Sequence, residues 1–467
     1  MKKCKIIKYI YPVLFLAISL LILSANIVNV AAEPVLNMDM AVKTQIQSGA
    51  FVLMDGDTGQ VLLEKNMNEI IYPASITKIM TAMIALEKGK LTDTVTMSYD
   101  AVFSVGRDTS HIALDEEEEL TLENALYGLA ICSANDAANG IAELIGGSMP
   151  EFARQMTARA KELGAVNTNF TNAHGLPDAN HYTTSYDMAR IMAAAVKIPE
   201  FTKIFSSVSY DMPPTNKQPE ARQFNRKNSL IEGFYKYDGI IAEKTGWTSD
   251  AGYTYVAAAK RNGKTLIVAV INSPSEVARW EDATVLFDYG FNEFTPVSYN
   301  AEELKQEQYI IEGANGSKLN TRLIPGGDFS CFILKSLNKE DIKIKYIFST
   351  DDITGKIESK ALFLLNSELS GFIYTELGEI DLQMYFNSET YISPVNGNIT
   401  NNNDQQIEHK ENGPILSAIL SILKILSIIL QIIGGLTVIW LILYIRRNII
   451  VQKRKKRRFD YNNAIYK

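Results

Sequence analysis

Tyr72-Pro73-Ala74-Ser75-Ile76-Thr77-Lys78-Ile79-Met80-Thr81-Ala82-Met83-Ile84 is the stretch from which the rest of the chain is best read. Ile76, Ile79, Met80, Met83 and Ile84 recur at helical spacing, so Ser75 opens a buried amphipathic helix and Lys78 lies one turn along the same face. A serine hydroxyl is a poor nucleophile until a base takes its proton, and an amine serves as that base only when neutral. Burial lowers a lysine pKa by up to ~3 to 5 units, and a second cation nearby lowers it further. A serine at a helix start also has a free backbone N–H, a donor suited to a developing oxyanion.

The spacing alone is common, because Ser336/Lys339 and Ser421/Lys424 share it. Two later motifs distinguish Ser75. Ser133-Ala134-Asn135 interrupts two helical runs, Leu122 to Ala130 and Asp136 to Ile145, and so forms a loop that presents polar side chains. Lys244-Thr245-Gly246 ends the strand-like run Gly239 to Ala242 and is the one K-[ST]-G in the chain. S-x-N occurs four times, but of the three S-x-x-K sites only Ser75 is followed by both other motifs.

With Tyr72 to Lys78, Ser133 to Ala138, His174-Gly175-Leu176-Pro177 and Lys244 to Thr248 in that order, the chain resembles the serine-type D-alanyl-D-alanine carboxypeptidases, the low-molecular-mass penicillin-binding proteins. The resemblance spans roughly residues 45 to 395. It implies an α/β penicillin-binding/β-lactamase-like transpeptidase domain, an antiparallel sheet flanked by helices, followed by a smaller all-β domain. It also implies that Ser75 is acylated, that Lys78 is its general base, and that Ser133 passes the proton to the leaving D-alanine. Asn135 would bind the substrate amide, Lys244 would supply positive potential and Thr245 would bind the terminal carboxylate. The N–H groups of Ser75 and Trp247, beside Gly246, would form the oxyanion hole. A basic residue upstream of the K-T-G strand clamps the carboxylate in the family; Arg226 and Lys227 are the candidates, and the sequence does not choose between them. Peptidoglycan stem peptides and β-lactam antibiotics are the implied partners, and no cofactor is implied.

Rival readings use the same residues. A DD-endopeptidase or transpeptidase differs only in leaving group and acceptor, and a non-catalytic wall-binding scaffold would lack covalent penicillin labelling. A class A β-lactamase would need an E-x-x-L-N motif, which is missing between Asn135 and Lys244. Four histidines without an H-E-x-x-H pair, and three cysteines without C-x2-C spacing, argue against a histidine-ligated metal, a zinc site or a disulfide scaffold.

The two ends carry a different message. Lys2, Lys3, Lys5 and Lys8 precede an apolar run from Ile10 to Leu23 and Val30-Ala31-Ala32, the pattern of a signal peptide over 1–32. Residues 425–445 are 21 uncharged residues, and ~20 apolar residues suffice to span a bilayer, so a C-terminal transmembrane helix is expected there. The basic tail 446–467 then stays cytoplasmic and the remainder lies outside the cell membrane. The formal charge of -7 averages these basic ends with a strongly acidic middle, which argues against nucleic acid as a partner. Between them the boundaries read 33–295 for the catalytic domain, 296–395 for the β-rich domain, 396–414 for a polar linker and 415–424 for an interfacial amphipathic segment.

Three features have plainer readings. His174 serves a turn rather than catalysis, Cys132 is a buried inert thiol, and the acids Asp115 to Glu119 are a solvated cluster at the start of a helix over Leu120 to Ala130.

Overall fold

The computed structural model describes residues 41–227, 229–312, 318–350, 357–365 and 375–386. The leader 1–32, the linker 396–414, the segment 415–424, the span 425–445 and the tail 446–467 lie outside the described residues. Among the described residues no helix is long and apolar enough to cross a membrane. The chain divides into two compact units, one of residues 1–309 with 319–399 and one of 310–318 with 400–467; of the second, residues 310–312 and 318 are described.

β1 (Ala50–Asp55) and β2 (Val61–Lys65) form a hairpin around the run Asp55-Gly56-Asp57-Thr58-Gly59. Asp55 Oδ1 accepts from the Thr58 N–H at 2.8 Å and its hydroxyl at 2.7 Å, which holds the turn. A 3-10 turn, Ala74–Thr77, leads into α1 (Lys78–Lys88). Every residue from Lys78 to Ala85 is buried, so α1 is the central helix of a helical lobe rather than a surface one. Around it the lobe adds β3 (Thr94–Thr96), α2 (Tyr99–Phe103), β4 (Glu119–Thr121), α3 (Leu122–Ile131), α4 (Asn135–Gly146), α5 (Met149–Glu162), α6 (Ser185–Ala195) and α7 (Pro199–Phe205). Each of Ile76, Ile79 and Ile84 is at most 1% exposed and contributes about 1.5–3 kcal/mol of burial.

A small hairpin, β5 (Ser209–Met212) with β6 (Arg222–Asn225), precedes β7 (Ile240–Thr248), β8 (Gly252–Arg261) and β9 (Lys264–Ser273). The main antiparallel sheet runs β2-β1-β9-β8-β7, which leaves β7 at an edge. Asn262 and Gly263, both at positive φ, make the two-residue turn between β8 and β9, the conformation that matches strand twist. Helix α8 (Glu276–Glu293), capped by Ser275, packs on β8 and β9.

From Glu293 the chain passes directly into β10 (Phe294–Tyr299), which pairs with β13 (Phe329–Leu334). β11 (Gln306–Glu312), β12 (Lys318–Pro325), β14 (Ile342–Thr350), β15 (Ile357–Leu365) and β16 (Thr375–Phe386) form a sheet of order β11-β12-β16-β15-β14. Phe329 stacks on Phe363 at 3.6 Å to centre its core.

The acidic run departs from its expected role. Glu119 belongs to β4 and the helix begins at Leu122, while Glu118 is fully buried rather than solvated. Arg222 donates to both Glu118 oxygens at 2.7 and 3.0 Å, and Thr215 adds a 2.6 Å bond. Burial pushes that carboxyl up, but these bonds outweigh it and hold it below the usual range. The partners come from a hairpin 100 residues away, which a local reading of helix dipoles does not see.

Candidate active site

Ser75 sits inside the 3-10 turn, and Lys78 is the first residue of α1. At three residues per turn, side chains at i and i+3 eclipse, which brings Lys78 Nζ to 3.0 Å from Ser75 Oγ. Ala74 holds a left-handed φ of 52°, a strained position for a residue with a Cβ. Two contacts hold that turn. The Thr254 hydroxyl donates to Pro73 O at 3.0 Å. Gly175 lies so close that a Cβ there would stand 1.8 Å from Ala74 O, and its own φ of 90° also requires glycine.

Lys78 is wholly buried, and its ammonium position meets three oxygens: Ser75 Oγ, Asn135 Oδ1 at 2.7 Å and His174 O at 2.7 Å. Burial, with the charge of Lys244, lowers its pKa well below the ordinary 10.5, and Asp136 opposes the shift. The neutral amine has two hydrogens and one lone pair. Asn135 Oδ1 and His174 O can only accept, so they take the hydrogens, and the lone pair is left facing the one partner that carries a proton, Ser75 Oγ.

Ser133, in the loop between α3 and α4, has a φ of 58° and accepts from Lys244 Nζ at 3.0 Å. Asn135 starts α4, and its Nδ2 donates to Thr109 Oγ1 at 3.0 Å. Lys244, on edge strand β7, is 2% exposed and also donates to Thr245 O at 2.7 Å. Burial, then Arg226 and Arg279, bring its pKa down to about 7 against the pull of Glu243. A Cβ at Gly246 would meet Thr254 Oγ1 at 2.5 Å and Ser75 N at 2.8 Å, so the strand approaches the serine as closely as a glycine permits. Trp247, next in line, is 58% exposed. The fold thus gathers Ser75, Lys78, Ser133, Asn135, Lys244, Thr245, Gly246 and Trp247 about the end of one strand.

Of the two candidates upstream of the strand, Arg226 packs against β7 and Lys227 lies outside it. Arg226 donates to Glu243 Oε1 at 3.3 Å, Ser207 O at 3.0 Å and Phe205 O at 3.2 Å, so its guanidinium is committed to the protein. Lys227 is exposed. Glu243, fully buried, also accepts from the Tyr255 hydroxyl at 2.5 Å and Leu230 N at 3.2 Å. A second cation, Arg279 on α8, also reaches the K-T-G strand. It is 5% exposed and donates to Gly246 O at 3.3 Å and Glu276 Oε1 at 2.9 Å, while its Nε has no protein partner. Nothing local in the sequence signals Arg279; only the packing of α8 brings it there.

His174 acts through its carbonyl on Lys78, and Asn172 Oδ1 fixes that turn by accepting from the His174 and Gly175 N–H groups at 3.2 and 2.7 Å. The Cys132 thiol is half-buried, and burial raises its pKa, which keeps it protonated and inert. Ser336 shows no such constellation, since Lys339 Nζ is spent on Glu303 at 2.8 Å and Ser298 O at 2.9 Å.

His181 escaped the sequence reading. It is 1% exposed, and its Nδ1 accepts from Thr171 N at 3.1 Å, so Nε2 carries the proton and donates to Thr77 Oγ1 at 2.8 Å, beneath the Ser75 turn. Burial lowers its pKa to about 4. The unfolded histidine titrates near 6.5, so acidification from that value toward 4 loads protons on the unfolded chain alone and removes stability, about 2 kcal/mol by pH 5. The thermal midpoint therefore falls between pH 7 and pH 5, and falls less in His181→Gln; equal slopes would exclude His181 as the source.

Residues 37–275 match the family described as D-alanyl-D-alanine carboxypeptidase. The chain is 33% identical over 334 residues to D-alanyl-D-alanine carboxypeptidase DacF of Bacillus subtilis, covering 70% of this chain and 82% of that protein. It is 35% identical over 281 residues to D-alanyl-D-alanine carboxypeptidase DacA of Haemophilus influenzae, covering 58% and 69%. Among solved structures, penicillin binding protein 5 from Haemophilus influenzae aligns with a TM-score of 0.58 at 29% identity, over 73% of this chain and 96% of that one. The matched span contains the serine turn, the Ser133 loop and the K-T-G strand, and on these grounds the chain belongs to the D-alanyl-D-alanine carboxypeptidase family and is a serine-type carboxypeptidase.

Proposed function

We propose that Ser75 is the nucleophile with which this carboxypeptidase removes the terminal D-alanine from peptidoglycan stem pentapeptides. The observation that carries the assignment is the buried Lys78 amine, 3.0 Å from Ser75 Oγ, with two pure acceptors as its other partners. Lys78 takes the hydroxyl proton as Oγ bonds to the penultimate D-alanine carbonyl carbon. The oxyanion that forms is held by the Ser75 and Trp247 N–H groups. The C–N bond then breaks, and Ser133, bonded to Lys244, gives its proton to the departing amine and takes in exchange the proton held by Lys78, which returns to the neutral amine for the hydrolytic step. Water hydrolyses the acyl-serine ester, returning the hydroxyl to Ser75 and the carboxylate to the shortened peptide.

Asn135 binds the substrate amide through its remaining amide hydrogen while fixing Lys78 through Oδ1. Thr245 binds the terminal carboxylate, with Lys244 and Arg279 supplying the positive potential; the Arg279 bond to Gly246 O supports its part. The free edge of β7 suits an extended peptide. A β-lactam acylates the same serine but leaves slowly. The test is incubation with a pentapeptide ending in D-Ala-D-Ala, in which D-alanine appears one for one with tetrapeptide; no release would sink the assignment.

The protein is further read as exported by the signal peptide 1–32 and anchored in the cell membrane, with residues 415–424 in the interface, 425–445 spanning and 446–467 cytoplasmic. The support is the uncharged run followed by Arg446, Arg447 and the basic run from Lys453 to Arg458. In spheroplasts, external protease should remove the catalytic domain and leave an epitope placed after Lys467 protected. Digestion of that epitope from outside would overturn the topology.

A further inference from the structure

The part Asn135 plays depends on which way its side-chain amide is turned. With Oδ1 toward Lys78 Nζ at 2.7 Å it accepts, and the lone pair of the amine stays free for Ser75. Turned over, Nδ2 would donate to that lone pair and occupy it. The two ends of the amide have nearly the same shape, so hydrogen bonding rather than packing must choose between them. On the other side of the amide stands Thr109, half-buried, whose Oγ1 accepts from Asn135 Nδ2 at 3.0 Å and donates to Gly106 O at 2.7 Å. Gly106 O can only accept, so that contact holds the hydroxyl hydrogen and leaves Thr109 Oγ1 an acceptor toward Asn135. A reversed amide would need the same hydrogen for its Oδ1, and would leave Thr109 Oγ1 and Gly106 O facing each other at 2.7 Å with none between them. The loop that carries Thr109 is fixed to α4. Asn135 N donates to Ser110 O at 2.8 Å, and the buried Asp136 carboxylate accepts from Ile112 N at 3.2 Å and Leu114 N at 3.1 Å.

We propose that Thr109 is a positioning residue for acylation: its hydroxyl, committed to Gly106 O, holds the Asn135 amide in the one orientation that leaves the Lys78 lone pair to Ser75 and an Nδ2 hydrogen to the substrate. The inference rests on the reading of Lys78 as base and deepens it. Thr109 acts through Asn135, 26 residues away in the chain, and belongs to none of the three motifs, so no spacing marks it. The lock also bears on pH. An acceptor facing Lys78 favours the ammonium, whereas a donor in the same place favours the neutral amine. Loss of the lock therefore lowers the pKa of Lys78 further while it occupies part of the lone pair. The charged and titratable groups around Lys78 are Lys244 on β7, Asp136 on α4, and His174 and His181 between α5 and α6. Burial brings the two imidazoles down to about 3 and about 4, so they are neutral across the working range. Substitution of Thr109 leaves all four in place.

The rate of acylation by penicillin is to be followed against pH by stopped flow in wild type, Thr109→Val, Thr109→Ala and Thr109→Ser, with thermal midpoints alongside. The Thr109 N–H also donates to Gly106 O, at 3.0 Å, so the turn keeps a bond when the hydroxyl is gone and the variants should fold. Thr109→Val and Thr109→Ala should lower the plateau rate roughly five- to thirtyfold and move the rising limb to lower pH, and Thr109→Ser should restore both. A wild-type plateau and midpoint in the two variants without a hydroxyl overturns the proposal. So does a limb moved to higher pH, the sign of a pocket opened to water, and so does a loss in Thr109→Ser as large as in Thr109→Val. Failure of the underlying readings looks different. If Lys78 is not the base, the wild-type profile is itself flat, and if the chain is no carboxypeptidase, the wild type releases no D-alanine and takes no penicillin label; either result removes the proposal with its premise.

Discussion

Ser75→Ala reduces covalent penicillin labelling and D-alanine release to background while the thermal midpoint stays close to that of the wild type. The substitution removes one oxygen. Ile76, Ile79 and Met80, which seat the turn and helix, remain buried, and Lys78 keeps Asn135 and His174. No second serine can substitute, because Lys244, not Lys78, holds Ser133 and because Lys339 is bound elsewhere. Ser336→Ala and Ser421→Ala leave labelling intact. The measurement is fluorescent penicillin titration followed by gel densitometry, and a labelled band in Ser75→Ala above the heat-denatured control would remove Ser75 from the mechanism.

Lys78→Arg lowers the acylation rate about as far as Lys78→Ala, by roughly 10²- to 10⁴-fold, although it preserves the charge. A guanidinium stays protonated at any working pH and cannot accept the serine proton. The wild-type profile follows from the same requirement. The protonated amine is inactive, so the acylation rate climbs with pH and levels off once Lys78 is neutral. Its midpoint lies below lysine's ordinary 10.5 because burial, and then the Lys244 charge, disfavour the ammonium. Removing that charge in Lys244→Gln moves the rising limb to higher pH, apart from any loss of rate through weaker carboxylate binding. Stopped-flow acylation from acid to alkaline pH decides it; a flat wild-type profile, or an active Lys78→Arg enzyme with a wild-type thermal midpoint, would exclude lysine as the base.

Much of the site was legible because its parts are local. Ser75 and Lys78 are three residues apart on a helical turn, and that spacing alone is enough to face one toward the other. The β8–β9 turn at Asn262-Gly263 and the Asp55 turn are local in the same sense, set by backbone preferences of one or two residues. The sequence also contained Ser133 and Lys244 as motifs, but their 3.0 Å contact joins residues 111 apart and no spacing rule predicts it. Glu118 was misread for this reason: its charge was weighed against its own helix, and its partner Arg222 arrives from β6.

What the sequence determined by itself is the order of the three motifs, the type of nucleophile and base, the acidic middle between basic ends, and the family to which the chain belongs. What only the tertiary structure decided is which groups close around them: the His174 carbonyl on Lys78, the imidazole of His181 under the serine turn, Glu243 tying Arg226 to β7, and Arg279 reaching Gly246 from α8. The division has a physical cause. Helical period and turn chemistry act over three or four residues and are written in the order of side chains. The lowered pKa of Lys78 and the path of each arginine depend on burial and on charges brought together from distant segments, and those exist only once the helical lobe has packed against the sheet.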